Sequence, residues 1–171
     1  RGKAVELVVP KKGEKRKLVE MAATNASLAL KQAAAQVDEK RERARRALEQ
    51  LQEDLELPSL PHRIECYDIS NIQGTEAVGS MVVAVDGEPR KSDYRRFRIR
   101  DLPAQPNDFL MMQQVLRRRL EKGLAGDAKF TPLPDLIVVD GGKGQLSVSV
   151  AVLQELGVEI PIVGLAKEQE E

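Results

Sequence analysis

The segment that most restricts the fold is Asp135-Leu-Ile-Val-Val-Asp140, four consecutive aliphatic residues framed by carboxylates. An unbroken apolar run of this length, rich in β-branched residues, suits a strand covered on both faces rather than one with a solvated side. Glycines at 141, 142 and 144 then lead into a helical pattern reaching about Leu156, where Gly157 is placed to cap it, and Ile160 to Leu165 reads as another strand. A buried strand, a helix and a further strand point to an α/β architecture with a parallel component.

Upstream, the hydrophobic period is two. Arg63 to Ile69 reads as a first strand and Glu76 to Val85 as a second; Asp86-Gly87 supplies hairpin-turn chemistry, and Tyr94 to Arg100 alternates as a third. Pro106-Asn107-Asp108 opens a helix expected to run to about Lys122 and to stop at Gly123, with Leu110, Met111, Gln114, Val115 and Leu120 on its inner face. This order, a three-stranded meander followed by helix, buried strand, helix and strand, matches a ribonuclease H-like (RNase H-like) mixed sheet with flanking helices.

Residues 1–60 read differently. Val5 to Val9, closed by Pro10, suggests a short edge strand. From about Lys11 to Leu57 strong helix formers dominate, with Leu18, Met21, Ala22, Ala26, Ala29 and Ala33 at helical spacing, so one long helix or two in series precede the sheet as a helical arm. Pro58-Ser-Leu-Pro61 ends it and marks the expected boundary with a domain over 61–171.

Charge is balanced at 27 basic and 27 acidic residues, so a nucleic-acid reading must rest on local distribution. Residues 90–119 carry nine bases against three acids. Arg96, Arg98 and Arg100 share one face of the third strand, and Arg117-Arg118-Arg119 closes the following helix; both groups suit either a solvated surface or one that tracks phosphates. Cys66 is the only cysteine, which excludes an internal disulfide and a thiolate metal cluster. No apolar run approaches the roughly 20 residues of a membrane span and no secretion signal is visible, so no membrane partner and a cytoplasmic location are expected.

The chemistry-bearing candidates are acids. Asp68 extends the row of Ile64 and Cys66, and Asp140 ends the buried strand, where open α/β sheets place ligands. If those strands are neighbours, the two carboxylates converge and repel, and Mg²⁺ relieves the repulsion because it prefers hard oxygen ligands. Phosphodiester hydrolysis would follow, with metal ions roughly 3.5–4 Å apart orienting a water and stabilising the leaving oxygen. Each acid also has a plainer reading: Asp68, before Ser70 and Asn71, can start a turn; Asp140, before two glycines, can do the same; Asp108 suits the first turn of any helix. Glu65 points to the opposite face and reads as structural. Gly141-Gly142-Lys143-Gly144-Gln145 would let backbone amides and Lys143 approach phosphate at a helix N-terminus, but its spacing is not that of a P-loop. His62, the only histidine, lies in the linker before the first strand.

The strings themselves are specific. Arg63-Ile-Glu-Cys-Tyr-Asp-Ile-Ser70 with Gln73-Gly74, Ser92-Asp-Tyr-Arg-Arg-Phe97, Leu133-Pro-Asp-Leu-Ile137 running into Val138-Val-Asp-Gly-Gly-Lys-Gly-Gln145, and Gly164-Leu-Ala-Lys167 resemble, in order, segments of the endonuclease domain of the UvrC family of excision-repair nucleases. The resemblance implies a metal-dependent (Mg²⁺ or Mn²⁺) endonuclease. It would cut damaged double-stranded DNA on the 5′ side of a lesion, working with the damage-loading protein UvrB and with UvrA upstream. It implies Asp68 and Asp140 as metal ligands and Asp108 as a further catalytic acid; the charge distribution, apart from the resemblance, gives Arg96, Arg98, Arg100, Arg117, Arg118 and Lys143 as the expected DNA-binding bases. Tyr67 stands where Phe is common, and Asn71 where many members have His. The resemblance also leads us to expect that the family's catalytic histidine and helix-hairpin-helix module follow Glu171, leaving this domain incomplete and poorly active by itself, and that the nuclease domain making the 3′ cut is a separate one. Two other classes fit the same residues: a non-catalytic nucleic-acid- or protein-binding module with an RNase H-like shape, and a docking scaffold acting through residues 11–57.

Overall fold

A computed structural model describes residues 9–72, 76–99 and 107–165. The expected strand at Val5, Gln73-Gly74, Arg100 and the end of the Gly164–Lys167 string lie outside the described residues. The chain forms two units, Arg1–Arg43 and Ala44–Glu171. A single helix, α1 (Glu14–Asp54), begins in the first unit and ends in the second. The arm is therefore one helix rather than two. Its apolar residues Leu18, Met21, Leu28 and Leu30 are exposed, whereas Leu48, in the second unit, is buried.

In the second unit β1 (Arg63–Ile72) pairs antiparallel with β2 (Glu76–Val85) and parallel with β5 (Leu136–Asp140), and β6 (Ile162–Leu165) lies parallel beside β5. Asp86 and Gly87 both have positive φ, 52° and 77°, which is the two-residue hairpin geometry whose twist matches that of the flanking strands. They join β2 to the short β3 (Glu88–Pro89).

The third strand expected over Tyr94 to Arg100 is found as β4 (Arg95–Arg98), but the short β3 and a 3₁₀ turn at Lys91–Asp93 come before it, and both β3 and β4 pair with β2. The β3 register, Val85 opposite Glu88, would bring Arg95 opposite Val78; the residue found there is Arg98, three positions later.

Helices α2 (Asp108–Leu124) and α3 (Lys143–Leu156) provide the crossovers into β5 and β6. Asn107 caps α2 as expected, its side chain accepting from the amides of Phe109 and Leu110 at 3.1 and 3.2 Å. Gly123 does not end α2. It is buried against Leu133 and the carbonyl of Phe130, where a Cβ would find no room. The inner face also differs from the expectation, for Leu110 is exposed and the buried stripe is Met111, Met112, Val115, Leu116, Arg119 and Leu120. This stripe and Val152 and Leu153 of α3 pack with Tyr67, Met81, Val83, Phe97, Ile137 and Val139, all from one face of the sheet. Gly157 caps α3 in the left-handed conformation at φ 64°, as expected. Among the described residues, six strands in mixed pairing with flanking helices make the RNase H-like arrangement expected from the sequence.

Candidate functional site

The parallel ladder between β1 and β5 runs through Cys66 opposite Val138 and Tyr67 opposite Val139; Asp68 and Asp140 are the next residues of the two strands. They stand on neighbouring strands about 4.8 Å apart. Alternation puts both on the face opposite Tyr67 and Val139, away from the α2 and α3 packing. Both are half-buried. Asp68 is held from two sides: Ser70 Oγ donates to its Oδ2 at 3.1 Å, and Ser80 Oγ donates to its backbone oxygen at 3.4 Å.

Cys66 registers the electrostatics of this face. Burial pushes its thiol up, and the charges of Asp140 and then Asp68 push it further. A neutral thiol beside two carboxylates is a poor ligand for a soft metal, whereas two adjacent carboxylate groups are a suitable start for a hard divalent cation. On this donor chemistry Asp68 and Asp140 fit Mg²⁺ or Mn²⁺. Among the described residues no third carboxylate, imidazole or thiolate joins them as a metal-binding group.

Asp108 occupies the first turn of α2 and lines a pocket of about 560 Å³ with Asn107, Phe109, Gly142, Gly144 and Gln145. That pocket adjoins the turn after Asp140, but Asp108 does not form a metal-binding trio with Asp68 and Asp140. Gly144 lets the Phe109 ring approach closely, since a Cβ would stand 2.5 Å from its Cε1 and the ring would have to move aside. Lys143 is exposed at the start of α3, whose N-cap residue Gly142 makes no side-chain capping bond. Gln145 Oε1 is buried without a hydrogen-bond partner among the described residues. His62 lies away from the acids, its Nδ1 2.8 Å from Asp86 Oδ1.

The bases divide sharply. Arg96 and Arg98 are exposed on β4. Arg118 donates to the carbonyl of Arg98 at 3.1 Å and lies 6.0 Å from the Phe97 ring centroid. Arg117 is paired with Glu155. Arg119 cannot belong to a DNA-facing surface, because its side chain is 0% exposed. Its Nη2 donates to Glu65 Oε1 at 2.7 Å and its Nε to Glu65 Oε2 at 3.0 Å, and Nη1 donates to the carbonyl of Phe130 at 2.7 Å. Tyr67 donates its hydroxyl to Glu65 Oε2 at 2.6 Å, and Arg63 bridges Glu65 to Asp93. Glu65 is the structural residue that its position on the strand suggested; the buried network around it was not anticipated.

Among the described residues no helix is long and apolar enough to cross a membrane. The profile of the UvrC RNAse H endonuclease domain matches residues 52–171, and that of the UvrC Ribonuclease H-like domain matches residues 1–33. The UvrABC system protein C of Symbiobacterium thermophilum is 46% identical over 195 residues, covering 99% of this chain and 31% of that protein. Its counterpart from Clostridium perfringens is 44% identical over 180 residues, covering 98% and 29%. The chain thus spans about a third of the length of these relatives. Among solved structures, human ENDOV aligns with a TM-score of 0.48 at 18% identity, covering 68% of this chain and 51% of that one. Ciona intestinalis endonuclease V, in complex with an inosine-containing DNA, aligns at 0.48 and 17%, covering 82% and 60%. The two family profiles, together with relatives matched over nearly all of its residues, show that the chain belongs to the UvrC RNase H endonuclease domain family.

Proposed function

We propose that this chain is the metal-dependent endonuclease domain that makes the 5′ incision beside a lesion in nucleotide excision repair, acting on damaged double-stranded DNA delivered by UvrB, with UvrA upstream. Membership of a nuclease-domain family supports a nuclease role in excision repair. The observation that carries the finer reading is the adjacency of Asp68, midway along β1, and Asp140, at the end of β5, just past the last pair of the parallel ladder.

Asp68 and Asp140 would hold Mg²⁺ or Mn²⁺, which when bound lowers the pKa of a coordinated water and stabilises the departing oxygen. Ser70 fixes the carboxylate of Asp68 from its own strand. Asp108, from the helix beside the Asp140 turn, is the proposed further acid. Arg96, Arg98 and Arg100, with Arg118, Lys143 and, if DNA displaces Glu155, Arg117, are the proposed DNA-binding bases. The test measures Mn²⁺ binding by calorimetry alongside strand incision. Asp68→Ala or Asp140→Ala should lose the metal, and in a full-length protein carrying this domain it should lose the 5′ cut while keeping the 3′ cut. Retention of both the metal and the 5′ cut by either variant would refute the reading.

A further inference from the structure

The pairings across the sheet place one base in line with the acids. Arg96 is opposite Ser80 on β2, Ser80 is opposite Asp68 on β1, and Asp140 stands beside Asp68 on β5. Residues directly opposite each other in a sheet project to the same face, so Arg96, Ser80, Asp68 and Asp140 form a single row across four strands. Arg96 lies two strand spacings from Asp68, roughly 10 Å.

The other described bases of β4 and α2 are engaged, Arg98 among them. Arg95, on the opposite face, donates to the carbonyls of Ser92, Tyr94 and Lys129. Arg117 holds Glu155, Arg118 holds the Arg98 carbonyl, and Arg119 is buried on Glu65. Arg96 is exposed and makes no hydrogen bond or ion pair among the described residues. An exposed guanidinium in line with a carboxylate pair is placed to bind an anion that also reaches a cation held by the carboxylates. A nucleic-acid strand meets that requirement because its phosphates recur along its length. The axial rise of roughly 3.4 Å per nucleotide is a lower bound on phosphate spacing along one strand, so ten ångströms spans at most about three nucleotides. Guanidinium also suits phosphate better than ammonium does, through its two-pronged donor geometry.

We infer that the cleaved DNA strand crosses the sheet along the row Asp140, Asp68, Ser80, Arg96, and that Arg96 grips a phosphate of that same strand within about three nucleotides of the cut, setting which phosphodiester bond reaches the acids. This rests on the proposed nuclease reading and adds to it the path of the substrate and one residue that fixes its register. The bases on α2 then contact DNA away from the cleaved strand or serve the fold.

The experiment uses a full-length protein carrying this domain and duplexes in which single phosphates near the 5′ cut, on either strand, are replaced by neutral methylphosphonates. Binding is measured with divalent ions chelated, and cutting separately with Mg²⁺. The parent protein should lose about tenfold in affinity at one or two positions of the cleaved strand, the scale of one charge-assisted contact. Arg96→Ala should bind unmodified duplex about tenfold more weakly and show no further loss at those positions, with other positions unchanged, while Arg96→Lys recovers part of the affinity. Arg96→Gln serves as a second variant, and thermal unfolding verifies that each is folded. The inference is overturned if Arg96→Ala keeps the parent's full profile, if the position it stops sensing lies on the uncut strand, or if the parent profile is flat. Failure of the parent to cut unmodified duplex in Mg²⁺ would instead count against the nuclease reading.

Discussion

Arg119 and Glu65 face each other as a two-pronged ion pair with both side chains at 0% exposure, one from α2 and the other from β1. Removing Arg119 leaves the buried Glu65 carboxylate compensated by Arg63 alone among the described cations, and takes the donor from the Phe130 carbonyl. Arg119→Met should therefore cost about 3–5 kcal/mol in urea unfolding, and Glu65→Leu combined with Arg119→Met should recover much of the loss. An unchanged midpoint for Arg119→Met would show that the pair does not hold α2 to the sheet.

The path from sequence to this architecture was uneven for physical reasons. Asp68 and Asp140 were legible because each ends an aliphatic row and a strand's period of two leaves no doubt about facing. The role of Arg119 was not, since three successive arginines read as a cationic surface. Its position three and four residues after Leu116 and Val115 puts it on the buried stripe, and with Glu65 also pointing inward the two charges could have been matched. The 3₁₀ turn at Lys91–Asp93 gave no signal, because Lys, Ser and Asp in sequence suit many loops. Residue spacing alone could not show that Asp108 stands apart from the two strand acids as a metal-binding group.

The acids should behave as a unit. In a full-length protein Asp68→Ala and Asp140→Ala should each reduce 5′ incision to the same low residual rate, and the double variant should be no slower, since either deletion would remove the same metal-bound water. Single-turnover assays of both incisions check this, and a double variant markedly slower than either single would indicate that the two carboxylates work separately.

Neutralising Arg96, Arg98 and Arg100 together should flatten the salt dependence of duplex binding, each lost phosphate contact lowering the log–log slope by about 0.9. Arg117→Ala should leave the slope near its starting value, because Glu155 already neutralises Arg117 in the structure. Equal effects of the two changes would assign α2 to the DNA surface.

Asp93 is held below the ordinary carboxylate value by the hydrogen bond from Arg63, with Ser92 and the charges of Arg63 and Arg90 assisting against burial. Because folding lowers this pKa, the stabilisation is fully present above the unfolded carboxylate value and is lost as pH falls through the folded one, below about pH 4. The pair is partly exposed, so Asp93→Asn should cost about 1 kcal/mol or less at neutral pH and reduce the steepness of the acid limb. Unfolding midpoints between pH 2 and 7 provide the test, and parallel parent and variant curves would contradict it.

The three-residue shift between β3 and β4 makes the loop between them a parity device. Without it, Arg95 and Phe97 would occupy the acid-bearing side, and Arg96 and Arg98 would be driven into the apolar packing beneath α2, because an odd slip exchanges the two faces of a strand. Loop length here is therefore constrained by evenness rather than by size. Deleting one residue from Lys91–Asp93 would turn the strand inside out, whereas deleting two would slide the arginines along the sheet while keeping them on the side where the carboxylates wait.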